Sequence, residues 1–382
     1  MYLESTRRLH SRKSKGLYRD RLTLEGSQGA NVSIAGQDYL SFCSNDYLGL
    51  ANHPELIEAV CEGAQQYGVG AGASHLIIGH HTSHHNLEEM LADFTGFPRA
   101  LLFSSGYMAN AGVVSALVGR GDEIYSDKLN HASLNDAAML SYAKWIRYPH
   151  LDLEILENRL SISQAKCKLV MTDAVFSMDG DIAPVVELLV LCEKYNAWLL
   201  LDDAHGFGVV GNEGRGIVSH YSLSSPRIIY MATLGKAAGV SGAFIAGQEV
   251  VIEALIQYAR SYIYTTAMPP LLSYALLKSI ELIRREGWRR KKITQLTEHL
   301  KNNLKFLRWT LLPSDMPIQP VIIGKNREVM QVRNELQNRG ILVPAIRPPT
   351  VPKSSARLRI SLSAAHSIKD VERLATTLRE LE

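Results

Sequence analysis

Short, continuously apolar runs alternate with helix-length segments along much of the chain. Four runs have the length and composition of buried strands: ALLF (100–103), KLVMTDAVF (168–176), WLLLDDA (198–204) and RIIYMAT (227–233). Between them lie segments such as APVVELLVLCEKYNA, whose apolar residues recur at helical spacing. Strands that alternate with helices form a mostly parallel sheet with helices on both faces, so the pattern predicts an α/β fold.

The sequence pattern changes near residue 285, which indicates a second folding unit. EGWRRKKITQLTEHLKNNLKFL has the pattern of a long helix with a polar face, and IQPVIIG, REVMQVRNELQNRG, ARLRISLS and IKDVERLATTLREL continue as strands and helices. We therefore predict an N-terminal segment (1–40), a large domain (41–285) and a smaller C-terminal α/β domain (286–382). The basic residues 1–22 are predicted to form a solvated amphipathic helix and a loop, in preference to a transit peptide.

Composition and charge argue against several classes of protein. The chain has 382 residues, of which 46% are hydrophobic and 21% charged, as expected for a folded protein of two or more domains. A net charge of +3 gives no general attraction to nucleic acid, and no apolar run approaches the roughly 20 residues that span a bilayer. The four cysteines form no CxxC pair, which favours a reducing compartment, so we expect a cytoplasmic protein without nucleic-acid or membrane partners.

Polar side chains cluster where the predicted strands end. In open α/β sheets, ligands bind beyond the carboxyl ends of the strands, so these residues are candidates for one shared site. Four strand ends supply a pair of hydroxyls, a single hydroxyl, a carboxylate with an imidazole, and a hydroxyl with an amine. In the same order, these groups belong to Ser104 with Ser105, to Ser177, to Asp202 with His205, and to Thr233 with Lys236.

Lys236 lies among small and apolar residues in ATLGKAAGVSG (232–242), directly after a predicted buried strand. A lysine that is buried without a partner tends to lose its charge, because an apolar environment raises the free energy of the ammonium form. A neutral lysine amine attacks carbonyl carbons, so Lys236 is predicted to be a nucleophile.

Three other motifs supply complementary groups. SSGYMANAG (104–112) predicts a strand-to-helix turn at Gly106, where the first helical N–H groups form an anion site, although an ordinary turn explains the same residues. In DDAHG, Asp202 and His205 can address one ligand, with a helix cap and a structural histidine as the alternatives. His131 in LNHASL can stack on a flat ring or have a structural role. An amine, an anion site, a carboxylate and an imidazole together match pyridoxal phosphate.

Motifs along nearly the whole chain, from about residue 15, match one enzyme family. They are SNDYLGL, SSGYMAN, NHASL, FSMDGD, DDAHGFGVVG, the GKAAG lysine segment, YTTAMPP, and AIRPPTVP followed by ARLRISLSAAHS. Together they resemble the α-oxoamine synthases, which join an amino acid to an acyl thioester with loss of carbon dioxide. The resemblance implies a fold-type I transferase with pyridoxal 5'-phosphate as its cofactor. It also implies L-alanine and a pimeloyl thioester (of coenzyme A or acyl carrier protein) as substrates in biotin synthesis, and a homodimer with shared active sites.

The resemblance assigns roles to individual residues. Lys236 is implied to hold the cofactor covalently and to remove the α-proton of alanine, while Asp202 pairs with the pyridine nitrogen. The other implied cofactor contacts are Gly106, Tyr107, Ser177, His205 and Thr233, with Thr265 or Thr266 from the neighbouring subunit. The implied substrate contacts are His131, which also stacks on the cofactor, Arg347, which binds the amino-acid carboxylate, and Arg19, Asn45 and Thr350.

Two alternatives stay open. A sister α-oxoamine synthase would use glycine or serine with another acyl-CoA, because the shared cofactor motifs do not determine the substrate. A non-catalytic binding protein on the same fold would use its basic N-terminus to bind an acidic partner, although the presence of both Lys236 and Asp202 argues against it. The histidine-rich run HLIIGHHTSHH (75–85) belongs to a stretch that departs from the family pattern, and no metal site is expected there.

Overall fold

In the computed structural model, which describes residues 1–15 and 17–382, the chain divides into two compact units. Unit 1 comprises Met1–Gly49, Met178–Asp181 and Lys291–Glu382, and unit 2 comprises Leu50–Ser177 and Ile182–Arg290. The unit boundaries lie close to the predicted boundaries, but the first 49 residues belong to the same unit as the C-terminal part. The predicted division into three separate segments stays a prediction.

Helices and strands alternate along the chain. The helices are α1 (Tyr2–Ser14), α2 (Pro54–Tyr67), α3 (Thr82–Thr95), α4 (Gly106–Leu117), α5 (Ala132–Ser141), α6 (Leu153–Ser161), α7 (Val185–Lys194), α8 (Ile217–His220), α9 (Glu249–Tyr258), α10 (Arg260–Ile263), α11 (Pro270–Arg285), α12 (Trp288–Leu304), α13 (Asn326–Asn338) and α14 (Ile368–Glu380). The strands are β1 (Asn31–Ile34), β2 (Gln37–Ser41), β3 (Arg99–Phe103), β4 (Glu123–Asp127), β5 (Lys144–Tyr148), β6 (Lys168–Asp173), β7 (Trp198–Asp202), β8 (Ile228–Thr233), β9 (Ala243–Gly247), β10 (Thr310–Leu311), β11 (Ile318–Gly324), β12 (Ile341–Leu342), β13 (Ala345–Ile346) and β14 (Ala356–Ser361). Two further helical turns are His75–Gly79, which is π-helical, and Asn212–Gly214, which is 3₁₀-helical.

The sheet of unit 2 has seven strands in the order β3-β9-β8-β7-β6-β4-β5. Neighbouring strands from β8 to β5 are parallel, whereas β9 is antiparallel to both β3 and β8. Strand β3 therefore has the same direction as β6, β7 and β8, and these four strands end at the same edge of the sheet. The prediction of a mostly parallel sheet is confirmed, and these are the four strands expected from the apolar runs.

The central strands are continuously apolar because both faces of the sheet are covered. Leu199, Leu200 and Leu201 of β7 have no exposed surface, although successive residues of a strand point to opposite faces. Val113 of α4 and Leu134 of α5 belong to the same apolar core as the strands. This packing fixes the sheet, so polar side chains at its carboxyl edge are held in defined positions.

Unit 1 contains two small sheets. Strands β1 and β2 form an antiparallel hairpin, and β12 pairs parallel to β2, with Ile341 opposite Leu40. The other sheet has the order β10-β11-β14-β13, and its neighbouring strands are antiparallel. Helix α14 begins with a capping box in which the Ser367 hydroxyl accepts from the Asp370 N–H. Its apolar residues join the strands in one core.

The helices differ in how much apolar surface they bury. Helix α11 buries Leu276, Ile280 and Ile283, which are spaced by three and four residues on one face. The predicted N-terminal helix is present as α1, but none of its residues is buried. Within the part of the chain that the structure describes, no helix has both the length and the apolar character needed to cross a membrane.

Candidate active site

The carboxyl ends of β6, β7 and β8 surround a cavity of about 200 Å³ in unit 2. Eight residues that the sequence predicts for the site line this cavity, although they are far apart in the chain. They are Gly106, Tyr107, His131, Ser177, Asp202, His205, Thr233 and Lys236. Four further residues line the cavity to which the sequence assigned no role in the site: Ser133, Asp173, Ala204 and Met231.

Asp202 is the last residue of β7, and only 4% of its surface is exposed. Its Oδ2 accepts a hydrogen bond from Asn110 Nδ2 (2.7 Å), and its Oδ1 accepts one from the Ala204 N–H (3.1 Å). Asn110 also donates to Ser133 Oγ (2.9 Å), which ties α4 to α5. The protein therefore fixes the orientation of the carboxylate. Asn110 was not predicted, although its position four residues after Gly106 places it on the same face of α4.

Lys236 follows β8, and its Nζ lies 2.8 Å from Nε2 of His205. A protonated lysine only donates, so Nε2 accepts in that state and the ring proton of His205 is on Nδ1. The chain around the lysine is closely packed, because a Cβ atom on Gly239 would lie 2.7 Å from the Ala51 backbone nitrogen. These small neighbours and the imidazole place the amine in the cavity that Asp202 also lines.

His131 is the N-cap residue of α5, and its Nδ1 accepts a hydrogen bond from the Ser133 N–H (3.3 Å). Its own backbone N–H donates to Asp173 Oδ2 (2.6 Å). Burial lowers the pKa of His131; the Asp202 carboxylate opposes this shift, and the Lys236 ammonium adds to it. The ring is therefore mostly neutral at neutral pH, and a neutral imidazole presents a flat face for stacking.

The N-terminus of α4 lies at the same cavity. Ser105 Oγ accepts from the Met108 N–H (3.3 Å) and caps the helix, which begins at Gly106. First-turn N–H groups have no acceptor inside a helix, and the helix dipole makes this end attractive to anions. Gly106 and Tyr107 line the cavity together with the Thr233 hydroxyl, which donates to the Gly242 carbonyl (3.0 Å). This arrangement is suited to a phosphate group.

Thr265 and Thr266 lie between α10 and α11 and do not line the described cavity. Thr265 is half-buried, Thr266 is exposed, and the Thr265 hydroxyl donates weakly to the Thr266 carbonyl (3.5 Å). Because their predicted role concerns the neighbouring subunit, it stays a prediction.

In unit 1, Arg19, Arg347 and Thr350 line another cavity, of about 320 Å³. Arg19 Nη2 donates to Thr350 Oγ1 at 3.4 Å, which connects residues far apart in the chain. Burial lowers the pKa of Arg347, and the positive charges of Arg19 and Arg333 lower it further. The lining contains Asp20 as its one described acidic residue against Arg12, Arg19 and Arg347, so the cavity has a net positive charge, which is suited to a carboxylate.

Unit 1 contains two further arginines that could bind the carboxylate in place of Arg347. Arg357 pairs with Asp179 (2.5 Å), and Arg359 donates to Asn45 Oδ1 (3.2 Å). Both are almost fully buried and bind protein groups, so Arg347 remains the better candidate. Asn45, predicted to bind substrate, does not line the cavity that holds Arg347.

The histidine-rich run brings three imidazoles together, because ring nitrogens of His75, His80 and His84 lie within 4.8 Å of one another. The Nε2 atom of His84 is 2.7 Å from the Met268 carbonyl, and its Nδ1 accepts from the His81 N–H (3.0 Å). Burial lowers the pKa of His75 to about 3 and that of His84 to about 4. These contacts already occupy both ring nitrogens of His84, and the expectation of no metal site stays a prediction.

A buried carboxylate, a lysine amine, a neutral imidazole and a helix N-terminus at the carboxyl edge of an α/β sheet are the groups that hold pyridoxal phosphate. The sequence matches the model for aminotransferase class I and II over residues 37–378, and the chain belongs to this family. It is 67% identical over 374 residues to the 8-amino-7-oxononanoate synthase of Nitrosospira multiformis, an alignment that covers 98% of this chain and 94% of that relative. The predicted membership in a family of pyridoxal phosphate enzymes is confirmed.

Solved structures are similar over nearly the whole chain. A serine palmitoyltransferase variant from S. paucimobilis, with a bound pyridoxal phosphate–myriocin aldimine, has a TM-score of 0.93 at 27% identity, and the match covers 99% of this chain and 96% of that chain. The 8-amino-7-oxononanoate synthase from Francisella tularensis has a TM-score of 0.79 at 30% identity, covering 90% and 97%. These findings confirm the predicted fold-type I transferase architecture and pyridoxal phosphate as the cofactor.

Proposed function

We propose that this protein catalyses the decarboxylative condensation of L-alanine with a pimeloyl thioester to form 8-amino-7-oxononanoate, a step of biotin synthesis. The observation that carries this proposal is the 67% identity, over 98% of the chain, to a relative named for that product. The cavity of unit 2 supports it, because it combines Lys236 with the buried carboxylate of Asp202.

The residues of the cavity fit pyridoxal phosphate, which supplies an electron sink for negative charge at the α-carbon of a bound amino acid. In our proposal, Lys236 attaches the cofactor covalently, and the charge of Asp202 keeps a proton on the ring nitrogen. The first turn of α4 binds the cofactor oxygens together with the Ser177 hydroxyl and the Thr233 hydroxyl, which turns from the Gly242 carbonyl to the cofactor. His131 stacks on the ring and keeps water from that face.

Once the amine of alanine has displaced it from the cofactor, Lys236 Nζ is the proposed base that removes the α-proton of alanine and later returns a proton to the same carbon. His205 Nε2, 2.8 Å from Nζ, orients the amine by a hydrogen bond. Orientation of this kind contributes strongly to rate, because misplacement of a reacting group by about 1 Å can cost 100-fold. His205 therefore acts in catalysis through the position of Lys236 and through its contact with the cofactor.

Arg347 is the proposed ligand of the alanine carboxylate. A guanidinium binds a carboxylate through two parallel hydrogen bonds, and the half-buried setting of Arg347 strengthens them. Arg19 and Thr350 line the same cavity and are proposed substrate contacts, with Asn45 as a further one.

We further propose that the active enzyme is a cytoplasmic homodimer, in which Thr265 or Thr266 binds the cofactor phosphate of the neighbouring subunit. All four cysteines are free thiols, consistent with a reducing compartment. Light scattering on the purified protein measures its mass in solution. A monomer that retains full activity would refute the shared site.

The decisive experiment gives the purified protein pyridoxal phosphate, pimeloyl-CoA and either alanine, glycine or serine, and identifies the product by mass. We expect 8-amino-7-oxononanoate from alanine and far slower turnover of the other two amino acids. Preference for glycine or serine would indicate a sister synthase. A protein that stays colourless with the cofactor and forms no product would instead be a binding protein on the same fold.

A further inference from the structure

Unit 1 contains a cavity of about 750 Å³ whose lining is strongly cationic. Four of its lining side chains are positively charged, and none of its described lining residues is acidic. We call it the basic cavity and define it by Arg12, Lys15, Lys325 and Lys353. All four are exposed, and none forms an ion pair with a described residue. Cations held together without counter-charges repel one another, and a bound anion relieves that repulsion.

The basic cavity also has the size and mixed lining of a ligand site. Its volume lies within the range of about 300–1,000 Å³ that is common for small-molecule sites. Leu17, Pro348 and Pro349 contribute apolar surface to the cationic lining. Helix α13 begins at Asn326 without a side-chain cap on its N-terminus, which adds partial positive charge at this position.

The basic cavity continues into the neighbouring cavity of unit 1 that contains Arg347. The two cavities have lining residues in common, both charged and apolar: Arg12, Leu17, Pro348 and Pro349. A long ligand can therefore place an anionic end among the lysines and extend towards the cavity that holds the proposed carboxylate ligand.

We propose that the basic cavity binds the phosphate group of the phosphopantetheine that carries the pimeloyl thioester. This inference rests on the proposed function, because it concerns the second substrate of that reaction. Coenzyme A and acyl carrier protein both present a phosphate on pantetheine, so either source provides the same chemistry. Lysine and arginine side chains bind phosphate oxygens through short, charge-assisted hydrogen bonds.

The test compares three thioesters of pimelate: with coenzyme A, with phosphopantetheinyl acyl carrier protein, and with pantetheine, which lacks the phosphate. Lys325→Glu and Lys353→Glu are the variants, and Lys369→Glu is the matched control, since Lys369 is an exposed lysine of unit 1 outside the cavity. We measure kcat/KM for each phosphate-bearing thioester relative to the pantetheine thioester. Titration calorimetry with free phosphopantetheine measures binding without turnover.

We expect each cavity variant to lower the relative kcat/KM for both phosphate-bearing thioesters at least about tenfold and to abolish measurable binding of phosphopantetheine. The control variant should keep the relative kcat/KM and the phosphopantetheine affinity of the parent. The parent's larger kcat/KM then identifies the natural carrier. If both relative kcat/KM values are unchanged in the cavity variants, the inference is overturned. It is also overturned if the relative kcat/KM falls with only one of the two carriers, because the contact would then be to the nucleotide of coenzyme A or to the carrier protein. Failure of the parent to condense any of the three thioesters would instead refute the proposed function.

Discussion

Replacement of Asp203 with asparagine is expected to remove a loss of stability that develops as the pH rises. Asp203 has no exposed surface, and its Oδ2 accepts hydrogen bonds from the Ile217 N–H (2.7 Å) and the Tyr230 hydroxyl (2.8 Å). Burial raises the pKa of Asp203 to about 7, and these hydrogen bonds only partly oppose the shift. Asparagine keeps an oxygen acceptor for both donors but has no proton to lose.

The direction of the effect follows from proton binding. In the unfolded chain Asp203 has a pKa near 3.9, so between that value and pH 7 the folded state holds a proton that the unfolded state lacks. The stabilisation is complete below the unfolded pKa and is lost as the pH rises through about 7. Each pH unit in this window changes the free energy of unfolding by about 1.4 kcal/mol, so from pH 5 to pH 8 the loss is about 3 kcal/mol.

The assay is urea unfolding of parent and variant at pH 5 and pH 8, followed by tryptophan fluorescence. The parent should lose about 3 kcal/mol more than the variant over this interval, because other titrating groups contribute equally to both proteins. Asp38→Asn, at an exposed aspartate, is the control and should follow the parent. An equal loss in the parent and in Asp203→Asn would show that Asp203 does not hold a proton in the folded state.

Four other substitutions test the site and its support. Lys236→Ala should abolish turnover without unfolding the protein, and borohydride reduction of the parent should label Lys236; a label on another lysine would refute its role. Asp202→Asn should keep the visible absorbance of the bound cofactor but slow exchange of the alanine α-proton, and equal exchange rates would leave Asp202 a structural role. Arg347→Lys should raise the alanine KM roughly 10- to 150-fold, because hydrogen bonds to charged groups contribute about 1.5–3 kcal/mol, whereas unchanged alanine affinity would exclude it as the carboxylate ligand. Gly216→Ala should lower the free energy of unfolding in urea by more than about 1 kcal/mol, because the added Cβ atom would lie 2.2 Å from the Tyr230 hydroxyl. Gly26→Ala is the control, since no atom lies within 4 Å of the Cβ added there, and an equal or larger loss in this control would contradict the steric argument.

The strands that carry the site were predictable because they are apolar on both faces. The strands β4, β5 and β9 of the same sheet were not predicted. Glu123 begins β4 inside the sheet, where its carboxylate accepts hydrogen bonds from Lys144 Nζ (2.8 Å) and Ser163 Oγ (2.5 Å). This buried carboxylate interrupts the run of apolar residues by which the other strands were predicted. Its hydrogen-bond partners lie 21 and 40 positions later, so the sequence does not indicate that the charge is satisfied. Strand β9 is as long as β3 and β7, but three of its five residues (AFIAG) are alanine or glycine, which do not distinguish a strand from a loop.

The candidate site was predictable where one residue type has a distinctive chemical use, as at Lys236 and Asp202. Sequence reasoning missed Asn110 because its importance depends on a hydrogen bond to a carboxylate 92 positions away. The same limit applies to Asp173, whose carboxylate accepts from the His131 N–H (2.6 Å). Such contacts exist only once the sheet has brought its strand ends together.

The pairing of β2 with β12 has a consequence for how the chain folds as it is made. Leu40 lies opposite Ile341, about 300 residues later in the sequence, and a ribosome adds roughly 5–20 residues per second. The N-terminal hairpin therefore leaves the exit tunnel on the order of 15–60 s before the strand that pairs with it has been translated. The strands of unit 2 are all synthesised within that interval. A nascent chain halted before residue 341 can complete the sheet around Lys236 but leaves an unpaired edge on β2.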